Sequence, residues 1–328
     1  MMRIDGGIKG DEYDDDDFEE DDDTSDGPQG LSSQGEKRDW KTISFDEIEL
    51  GDKIGGGSVG LVHRGYYQGR AVALKTLFNA RIDDASKKEY LDELLVLSQL
   101  RHPNIVHFLG ACMVPPNLFY VMELCERSLF DLLHICRRNI GARQRVAFAL
   151  DVSRSMAYLH SRSPPIIHRD LKSLNLLIAG ENGPVKLCDF GLVRTAVTAA
   201  GTPAYMAPEL LQDHPYNKSI DCYAFGIVLW EIFSRAIPFS GYEAADIREA
   251  VVGGGRPKVP GGDCPAQIGR LMCRCWSQSP PQRPTFDETE NLLIDVLRTT
   301  PAETILEGME SVGGDCLDDL LGKPGGSS

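Results

Sequence analysis

The feature that most constrains the fold is a change of hydrophobic period between the first and second parts of the chain. In the first part, residues 43–77 alternate apolar and polar side chains around glycine breaks, which is typical of three short strands joined by turns. Residues 104–113 and 117–124 have the character of two more strands. In the second part, residues 142–160 and 217–235 have helical patterns, and the second is apolar almost all round. This order predicts an α+β fold, in which a small β-rich lobe precedes a larger helical lobe.

One helix is predicted inside the β-rich part. Residues 84–100 place four leucines at helical spacing, after an acidic first turn and before a stop at Pro103. The sequence contains no internal repeat, so we expect one such two-lobed unit.

A glycine-rich segment, residues 55–62, fits the pattern G-x-G-x-x-G-x-V. A Rossmann loop would open a helix after Gly60, but two more predicted strands follow. A Walker A loop would need Lys and Ser or Thr directly after Gly60, where Leu61 and Val62 stand. A hairpin whose glycine backbone covers phosphates fits both flanks. A plain glycine-rich hairpin would be an equal alternative if the segment stood alone.

Lys75 supplies a second signal, fifteen residues after Gly60 on the predicted third strand. It alternates with Val72 and Leu74, and a lysine on such an apolar strand needs an anionic partner to offset its loss of hydration. The phosphates of a nucleotide and a helix carboxylate would supply that partner.

The segment His-Arg-Asp-Leu-Lys-Ser-Leu-Asn, residues 168–175, crowds an acid, bases and an amide between the apolar pairs 166–167 and 176–177. A solvated loop would not need the apolar flanks, and a core strand would not tolerate the charges. We therefore interpret this segment as a binding site.

These motifs, with Asp-Phe-Gly at 189–191 and Ala-Pro-Glu at 207–209, resemble in order and approximate spacing the eukaryotic protein kinases. The resemblance covers residues 46–298, and the local sequence is most similar to the tyrosine-kinase-like group, which mostly phosphorylates Ser and Thr. It implies a two-lobed kinase fold, with an N-lobe at 46–124 and a C-lobe at 125–298. It also implies ATP and Mg²⁺ as cofactors and proteins with Ser/Thr acceptors as substrates.

The resemblance implies roles for the charged residues. Asp170 would accept or orient the proton of the attacking hydroxyl, and Lys172 would neutralise the γ-phosphate. Asn175 and Asp189 would hold Mg²⁺, which suits hard oxygen ligands and keeps phosphate and water for its other positions.

Further roles follow by position in the family pattern. Glu93 would pair with Lys75, although an ordinary surface acid of the helix is the alternative. Met122 would be the gatekeeper residue, and backbone groups of Glu123 and Cys125 would bond adenine. The residues implied around ATP are Ile54, Gly55, Gly57, Gly60, Val62, Ala73, Lys75, Met122, Glu123, Cys125 and Leu177.

Structural roles and one departure complete the resemblance. Arg283 is expected to pair with Glu209, Asp221 to brace the catalytic loop, and His168 to pack rather than to catalyse. Val59 stands at the hairpin tip, where many kinases have an aromatic residue, and this favours looser or faster-exchanging ATP.

Three alternative functions remain beside the Ser/Thr kinase. A pseudokinase scaffold is disfavoured because Lys75, Asp170 and Asp189 are all present. A tyrosine kinase is disfavoured by Lys172 and by the acceptor platform, residues 201–209, whereas dual specificity is left open as an alternative. A nucleic-acid binder is disfavoured because no basic stripe with aromatic residues occurs.

A regulatory prediction concerns the segment between the Asp-Phe-Gly and Ala-Pro-Glu motifs. Arg169 directly precedes Asp170, and its guanidinium would need an anion nearby. Thr195 and Thr198 are the free hydroxyls of the segment, whereas Thr202 would be occupied in the acceptor platform. We expect phosphorylation of Thr198, or with less preference Thr195, to order the segment through charge-assisted bonds with Arg169. A segment already held by packing is the alternative.

Charge marks the ends of the chain. The net charge is −15 over 328 residues, but residues 11–26 alone hold twelve acids, which should keep them disordered. The sequence predicts a disordered acidic segment at 1–42 and a polar tail at 299–328. A solubilising role is favoured for the acidic run, and docking of a basic partner is the alternative.

Cysteine usage and hydropathy indicate the compartment. Nine cysteines, an odd number, occur mostly in apolar contexts. Cys273 and Cys275 could suggest zinc, but buried core thiols are favoured because no second pair follows. No apolar run approaches the ~20 residues that span a bilayer. We therefore expect a soluble, cytoplasmic protein with no membrane partner.

Overall fold

A five-stranded antiparallel sheet forms the first lobe. The computed structural model describes residues 40–56, 60–77, 91, 94–114, 117–136, 139–181, 183–189 and 203–301, which belong to one compact unit of the chain. The strands lie in the order β1-β2-β3-β5-β4. Their bounds are Ile48–Gly56 (β1), Gly60–Tyr67 (β2), Arg70–Leu77 (β3), Phe108–Val114 (β4) and Asn117–Glu123 (β5).

The central strand β3 is buried on both faces. Val72 and Leu74 pack into the small core of the first lobe, with residues such as Phe119 and Val121. Ala73 and Lys75 point to the other face, where they pair in register with Met122 and Tyr120 of β5. The pleat thus separates the core side of β3 from the side that carries its lysine.

A second, three-stranded sheet holds the binding segments. Its order is β6-β7-β8, with bounds Arg127–Ser128, Leu176–Ile178 and Val185–Leu187. Leu176 and Ile178 are fully buried, whereas Leu177 between them is half-buried on the opposite face.

Helices make up the rest of the second lobe. They are Ala142–His160 (α1), Pro208–Leu211 (α2), Ser219–Ser234 (α3), Ala244–Val252 (α4), Ala266–Cys275 (α5) and Phe286–Thr299 (α6). Every residue of α3 from Ile220 to Phe233 is buried, which confirms the prediction of a central helix. None of the helices in the described ranges is long and apolar enough to cross a membrane.

Most element predictions are confirmed, with shifts at the ends. The helix predicted at 142–160 has those bounds, and the one predicted at 217–235 covers Ser219–Ser234. Of the helix predicted at 84–100, residues 94–99 are helical, and 84–90 and 92–93 lie outside the described residues.

The strand predicted at 104–113 begins only at Phe108. The preceding residues pair with the other lobe instead: Val106 N–H donates to Leu187 O at 3.0 Å, and the Asn104 side chain donates to Val185 O at 3.0 Å. A local apolar pattern cannot distinguish these two sheets as partners.

The expectation of buried core thiols is wrong for Cys273. It is exposed on α5, whereas Cys275 is buried. Residues two apart on a helix point about 200° apart, so the two thiols cannot share one environment or chelate one ion. The described residues contain no group of three His, Cys, Asp or Glu side chains that could hold a metal.

Candidate active site

Asp221 fixes the backbone of the segment 168–175. It lies in the first turn of α3, is 1% exposed, and accepts the backbone N–H groups of His168 and Arg169, each at 2.9 Å. His160 of α1 lies 2.8 Å from the same carboxylate. Each buried oxygen therefore has a partner, and the expected bracing role of Asp221 is confirmed.

His168 joins this loop to the residue before Asp189. Its side chain is fully buried, and its Nε2 donates to Cys188 O at 3.1 Å. Its Nδ1 accepts the Asp170 N–H at 3.3 Å. Burial lowers the pKa of His168, so the ring is neutral, with its proton on Nε2. It thus acts as a strut between the two carboxylate-bearing segments, in agreement with its predicted packing role.

The Asp170 carboxylate is held by two neighbours. Lys172 Nζ lies 2.8 Å from Oδ2 and 3.1 Å from Oδ1, and Asn175 Nδ2 lies 3.1 Å from Oδ2. Asn175 Nδ2 also donates to Asp170 O at 2.8 Å. These contacts fix the orientation of the carboxylate and place a cation beside it.

Lys75 of β3 forms an ion pair with Asp189, which follows β8. Burial would raise the pKa of Asp189, but the Lys75 ammonium holds that pKa below its ordinary value. The lysine side chain is 13% exposed and the aspartate 47% exposed, so the pair lies at the edge of solvent. Lys75 therefore has an anionic partner, as expected, but this partner is Asp189, which was not predicted to pair with it; the predicted partner Glu93 lies outside the described residues.

Two residues of the site have left-handed backbone conformations. Arg169 has φ 65° and Asp189 has φ 56°. Such a conformation costs a non-glycine residue roughly 1–2 kcal/mol, and at Arg169 the bond from its N–H to Asp221 helps to offset it. Strain of this kind concentrates at functional sites.

Asn175 and Asp189 can supply oxygen ligands to a divalent metal. Asn175 uses its amide nitrogen on Asp170, which leaves its carbonyl oxygen for another partner. The backbone N–H of Cys188 donates to the backbone oxygen of Asn175 at 3.0 Å. The segments that carry the two candidate ligands are therefore hydrogen-bonded to each other. A set of two hard oxygens suits an ion that takes its other ligands from phosphate and water.

The described residues expected around a nucleotide lie on β1, β2, β3, β5 and β7, except Cys125, which follows β5. Gly55 of β1 pairs with Val62 of β2, and Gly60 begins β2. Ala73 is buried, whereas Ile54 is 48% exposed. An exposed isoleucine is what an open cleft with an apolar lining would require.

In the hinge between the two lobes, the backbone N–H of Glu123 is hydrogen-bonded within the protein and that of Cys125 is not, within the described part of the chain. Glu123 N–H donates to His107 O at 2.9 Å, so this group is already engaged. The Glu123 carboxylate accepts His107 N–H at 2.6 Å and pairs with Lys186 at 2.8 Å. Among the described residues, none accepts the Cys125 N–H. Burial and the nearby Glu123 raise the pKa of the Cys125 thiol to about 11.

Comparison with known proteins decides the family. The family model for protein tyrosine and serine/threonine kinases matches residues 48–293. This chain belongs to the protein kinase family.

Two curated relatives show how much of a longer kinase the chain represents. The serine/threonine-protein kinase CTR1 of Arabidopsis thaliana is 40% identical over 268 residues, which cover 78% of this chain and 32% of CTR1. The dual specificity protein kinase shkC of Dictyostelium discoideum is 39% identical over 280 residues, 82% of this chain and 55% of shkC. The chain thus spans about a third of the first relative and about half of the second.

Glu209 and Arg283 form a buried, two-pronged ion pair in this kinase. The guanidinium nitrogens lie 2.5 and 2.8 Å from the two carboxylate oxygens, and the arginine side chain is 0% exposed. Arg283 also donates to Ser277 O and Ser219 O. The pair joins α2 to the segments around α3 and α6, which confirms the sequence prediction.

Sequence analysis missed a network around Glu231, which lies in the apolar helix α3 and is fully buried. Its carboxylate accepts from Ser173 Oγ at 2.7 Å and from Tyr205 OH at 2.7 Å, and lies 2.8 Å from His134 Nε2. Burial and Glu231 raise the pKa of Tyr205 well above its ordinary value. The available signal was an acid flanked on both sides by apolar residues within a predicted helix, because such a group needs partners when it is buried. The network ties the segment before α2 to the catalytic loop.

Several predicted residues cannot be placed. Those outside the described residues are Gly57, Val59, Glu93, Thr195, Thr198 and Thr202. Arg169 is described, and its guanidinium lies 5.8 Å from the ring centroid of Tyr216. The cation therefore has an aromatic face beside it.

Proposed function

We propose that this chain is an ATP-dependent kinase that phosphorylates Ser and Thr hydroxyls of protein substrates, with its kinase domain at residues 46–298. The observation that carries the proposal is the convergence of Lys75, Asp170, Lys172, Asn175 and Asp189 around the strut His168. Phosphoryl transfer requires positioning and neutralisation of charge more than covalent chemistry, and this cluster provides both.

Each charged group then has one task. Asp170 orients the acceptor hydroxyl and takes up its proton, and Lys172 stabilises the charge that builds on the transferred phosphoryl group. Lys75 binds the remaining phosphates of ATP, beside its present partner Asp189. Asn175 and Asp189 hold Mg²⁺, which neutralises phosphate charge when bound.

The acceptor class rests on Lys172 and on the relatives. Lys172 stands at the position where tyrosine kinases carry Arg or Ala. Its ammonium lies 2.8 Å from the Asp170 carboxylate. CTR1 is named a serine/threonine-protein kinase, which supports the same class. The name of shkC favours dual specificity as the second candidate.

The test is phosphorylation of matched peptides that differ only in Ser, Thr or Tyr at one position. We expect transfer to Ser and Thr and little to Tyr. Asp170→Asn should lower the rate on the order of 10²–10⁴-fold, because it removes the group that takes up the proton. Equal rates on all three peptides would establish dual specificity instead, and an unchanged rate in Asp170→Asn would reject the site.

Metal identity needs its own titration. We expect Mg²⁺ to support transfer, and Asp189→Asn to raise the Mg²⁺ concentration needed, because the substitution removes the formal charge of one ligand. A native metal titration in this variant would contradict the assigned ligand.

We also propose that phosphorylation at Thr198, or at Thr195, raises activity by pairing with Arg169. The comparison is between phosphatase-treated wild type and the Thr195→Ala/Thr198→Ala variant. If both keep the full rate of the untreated kinase, the proposed control does not exist. A basic partner for residues 11–26 is a separate proposal, which rests on charge alone.

A further inference from the structure

An open and mainly apolar groove lies on the helical lobe, away from the residues of the candidate active site. Its volume is ≈ 560 Å³, and it lies between the segment that follows α4 and one face of α5. Val259, Pro260 and Pro265 contribute apolar surface, and Cys273 lines it from α5. Gly269 of α5 lies close to Val259 on the opposite wall of the groove: a Cβ added at Gly269 would lie 3.0 Å from Val259 Cγ1.

The rim of the groove carries positive charge. Arg270 and Arg274 both line it. Arg274 is paired with Glu288 at 3.3 Å, but both side chains are more than half exposed, so the pair is weak. Arg270 has no ion-pair partner among the described residues. The groove therefore suits a segment that combines apolar side chains with acids.

We propose that residues 315–321 of this same chain, Asp-Cys-Leu-Asp-Asp-Leu-Leu, dock in the groove. The segment has three leucines at spacings of three and one, a pattern that can present them on one side. Its three aspartates can supply carboxylates to Arg270, and to Arg274 in addition to its weak pair with Glu288. The leucines are Leu317, Leu320 and Leu321, and the aspartates are Asp315, Asp318 and Asp319.

The connection between Pro301 and the docking segment is long enough. Helix α6 rises about 1.5 Å per residue, so Thr299 lies about 17 Å from Glu288, the residue that contacts Arg274 beside the groove. The fifteen steps from Pro301 to Cys316 can span up to about 50 Å. Docking within one molecule therefore requires no rearrangement of the helices.

Docking places Cys316 beside the two thiols of the groove, Cys273 and Cys264. The test treats the full chain with a short bis-maleimide and identifies linked peptides by mass spectrometry. We expect Cys316 linked to Cys273 or Cys264 within one polypeptide. Cys316→Ser and Cys273→Ser identify the two ends of the link.

The matched control keeps Cys316 and the length of the connection. Leu320→Asp/Leu321→Asp should lower the yield of the link about tenfold or more, since burial of the leucines holds the segment in place. Arg270→Glu should lower the yield, and adding Asp318→Lys/Asp319→Lys should restore it. Arg270 is exposed and the other positions lie beyond α6, so the kinase fold should be unaffected.

Three results would overturn the proposal. They are an equal yield in the leucine variant, links of Cys316 spread over cysteines outside the groove, or a link that joins two polypeptides. The last would mean that a second copy occupies the groove. No phosphoryl transfer is measured, so failure here is independent of the proposed kinase activity.

Discussion

At the scale of single residues, the site depends on short contacts between charged groups from distant parts of the chain. Lys75 and Asp189 are 114 residues apart and form an ion pair. His168 connects the Asp170 N–H to Cys188 O through its two ring nitrogens. A neutral, buried imidazole suits this role because it can donate at one nitrogen and accept at the other.

Lys75→Met should abolish most transfer while leaving the fold intact. The substitution removes a cation that contacts Asp189 but nearly conserves side-chain volume. We expect a fall in kcat on the order of 10²-fold or more, and a change in the unfolding free energy below about 1.5 kcal/mol. Steady-state kinetics and urea unfolding measure the two effects. Normal turnover in this variant would show that Lys75 has no part in the reaction.

Alkylation should report the raised pKa of Cys125. Because that pKa is about 11, the thiol is protonated at neutral pH, and the thiolate fraction rises about tenfold per pH unit below pH 11. Labelling with iodoacetamide between pH 7 and 9 should therefore accelerate steeply at Cys125. Cys273 is the matched control and should label first at pH 7 in the Leu320→Asp/Leu321→Asp variant, in which the proposed docking segment leaves the groove open. Equal rates at the two thiols at pH 7 would contradict the burial of Cys125.

Saturating Mg-ATP should slow the labelling of Cys125 but not of Cys273, because Cys125 lies in the hinge.

At the scale of elements, two buried acids organise the helical lobe from α2 and α3. Glu209 connects α2 to Arg283, and Glu231 connects α3 to Ser173 and Tyr205. Both carboxylates are buried, and each is satisfied by partners from other elements. Such groups specify which elements meet, because the same acids would be costly to bury in any arrangement without those partners.

Arg283→Ala should destabilise the kinase by about 3–5 kcal/mol, because it leaves the Glu209 carboxylate buried without its cation. Arg283→Lys should cost less than Arg283→Ala, but it cannot restore the two-pronged contact. The double variant Glu209→Gln/Arg283→Met should be more stable than Arg283→Ala, since no charge is left unpaired. Denaturant unfolding measures all three. A cost near 0.5 kcal/mol for Arg283→Ala would mean that water reaches Glu209.

At the scale of the whole molecule, the two lobes meet through the segment before β4 and the second sheet. Val106 N–H donates to Leu187 O at 3.0 Å, and Leu187 N–H donates to Asn104 O at 2.9 Å. Lys75 and Asp189 add an ion pair between the first sheet and the segment after β8. A ligand that contacts both sides should therefore stabilise the fold as a whole.

Mg-ATP should raise the midpoint of thermal unfolding. At a hundredfold excess over the Kd, binding stabilises by about 2.7 kcal/mol, or roughly 5–10 °C for a domain of this size. Omitting the metal, or substituting Lys75→Met, should remove most of the shift. Differential scanning fluorimetry measures it. An equal shift with ATP alone would reject the metal role of Asn175 and Asp189.

Local patterns were enough to predict the five strands of the first sheet and the two long helices of the second lobe, in their order along the chain, but not the second sheet or helices α2, α4, α5 and α6. The helix at 142–160 has its predicted bounds, and the apolar helix is buried from Ile220 to Phe233, because helical hydrogen bonds and apolar stripes depend on residues a few positions apart. The motifs also predicted the charged residues of the candidate site through their resemblance to kinases. Their identities are local properties of the chain.

The tertiary structure revealed further contacts that the motifs had not predicted. It paired residues 104–107 with the second sheet rather than the first, exposed Cys273 while burying Cys275, and brought Ser173, Tyr205 and His134 to Glu231. These contacts join residues tens of positions apart, and many partners satisfy the same local pattern equally well. Packing and the need to pair every buried polar group select among those partners, and both act only once the lobes have formed.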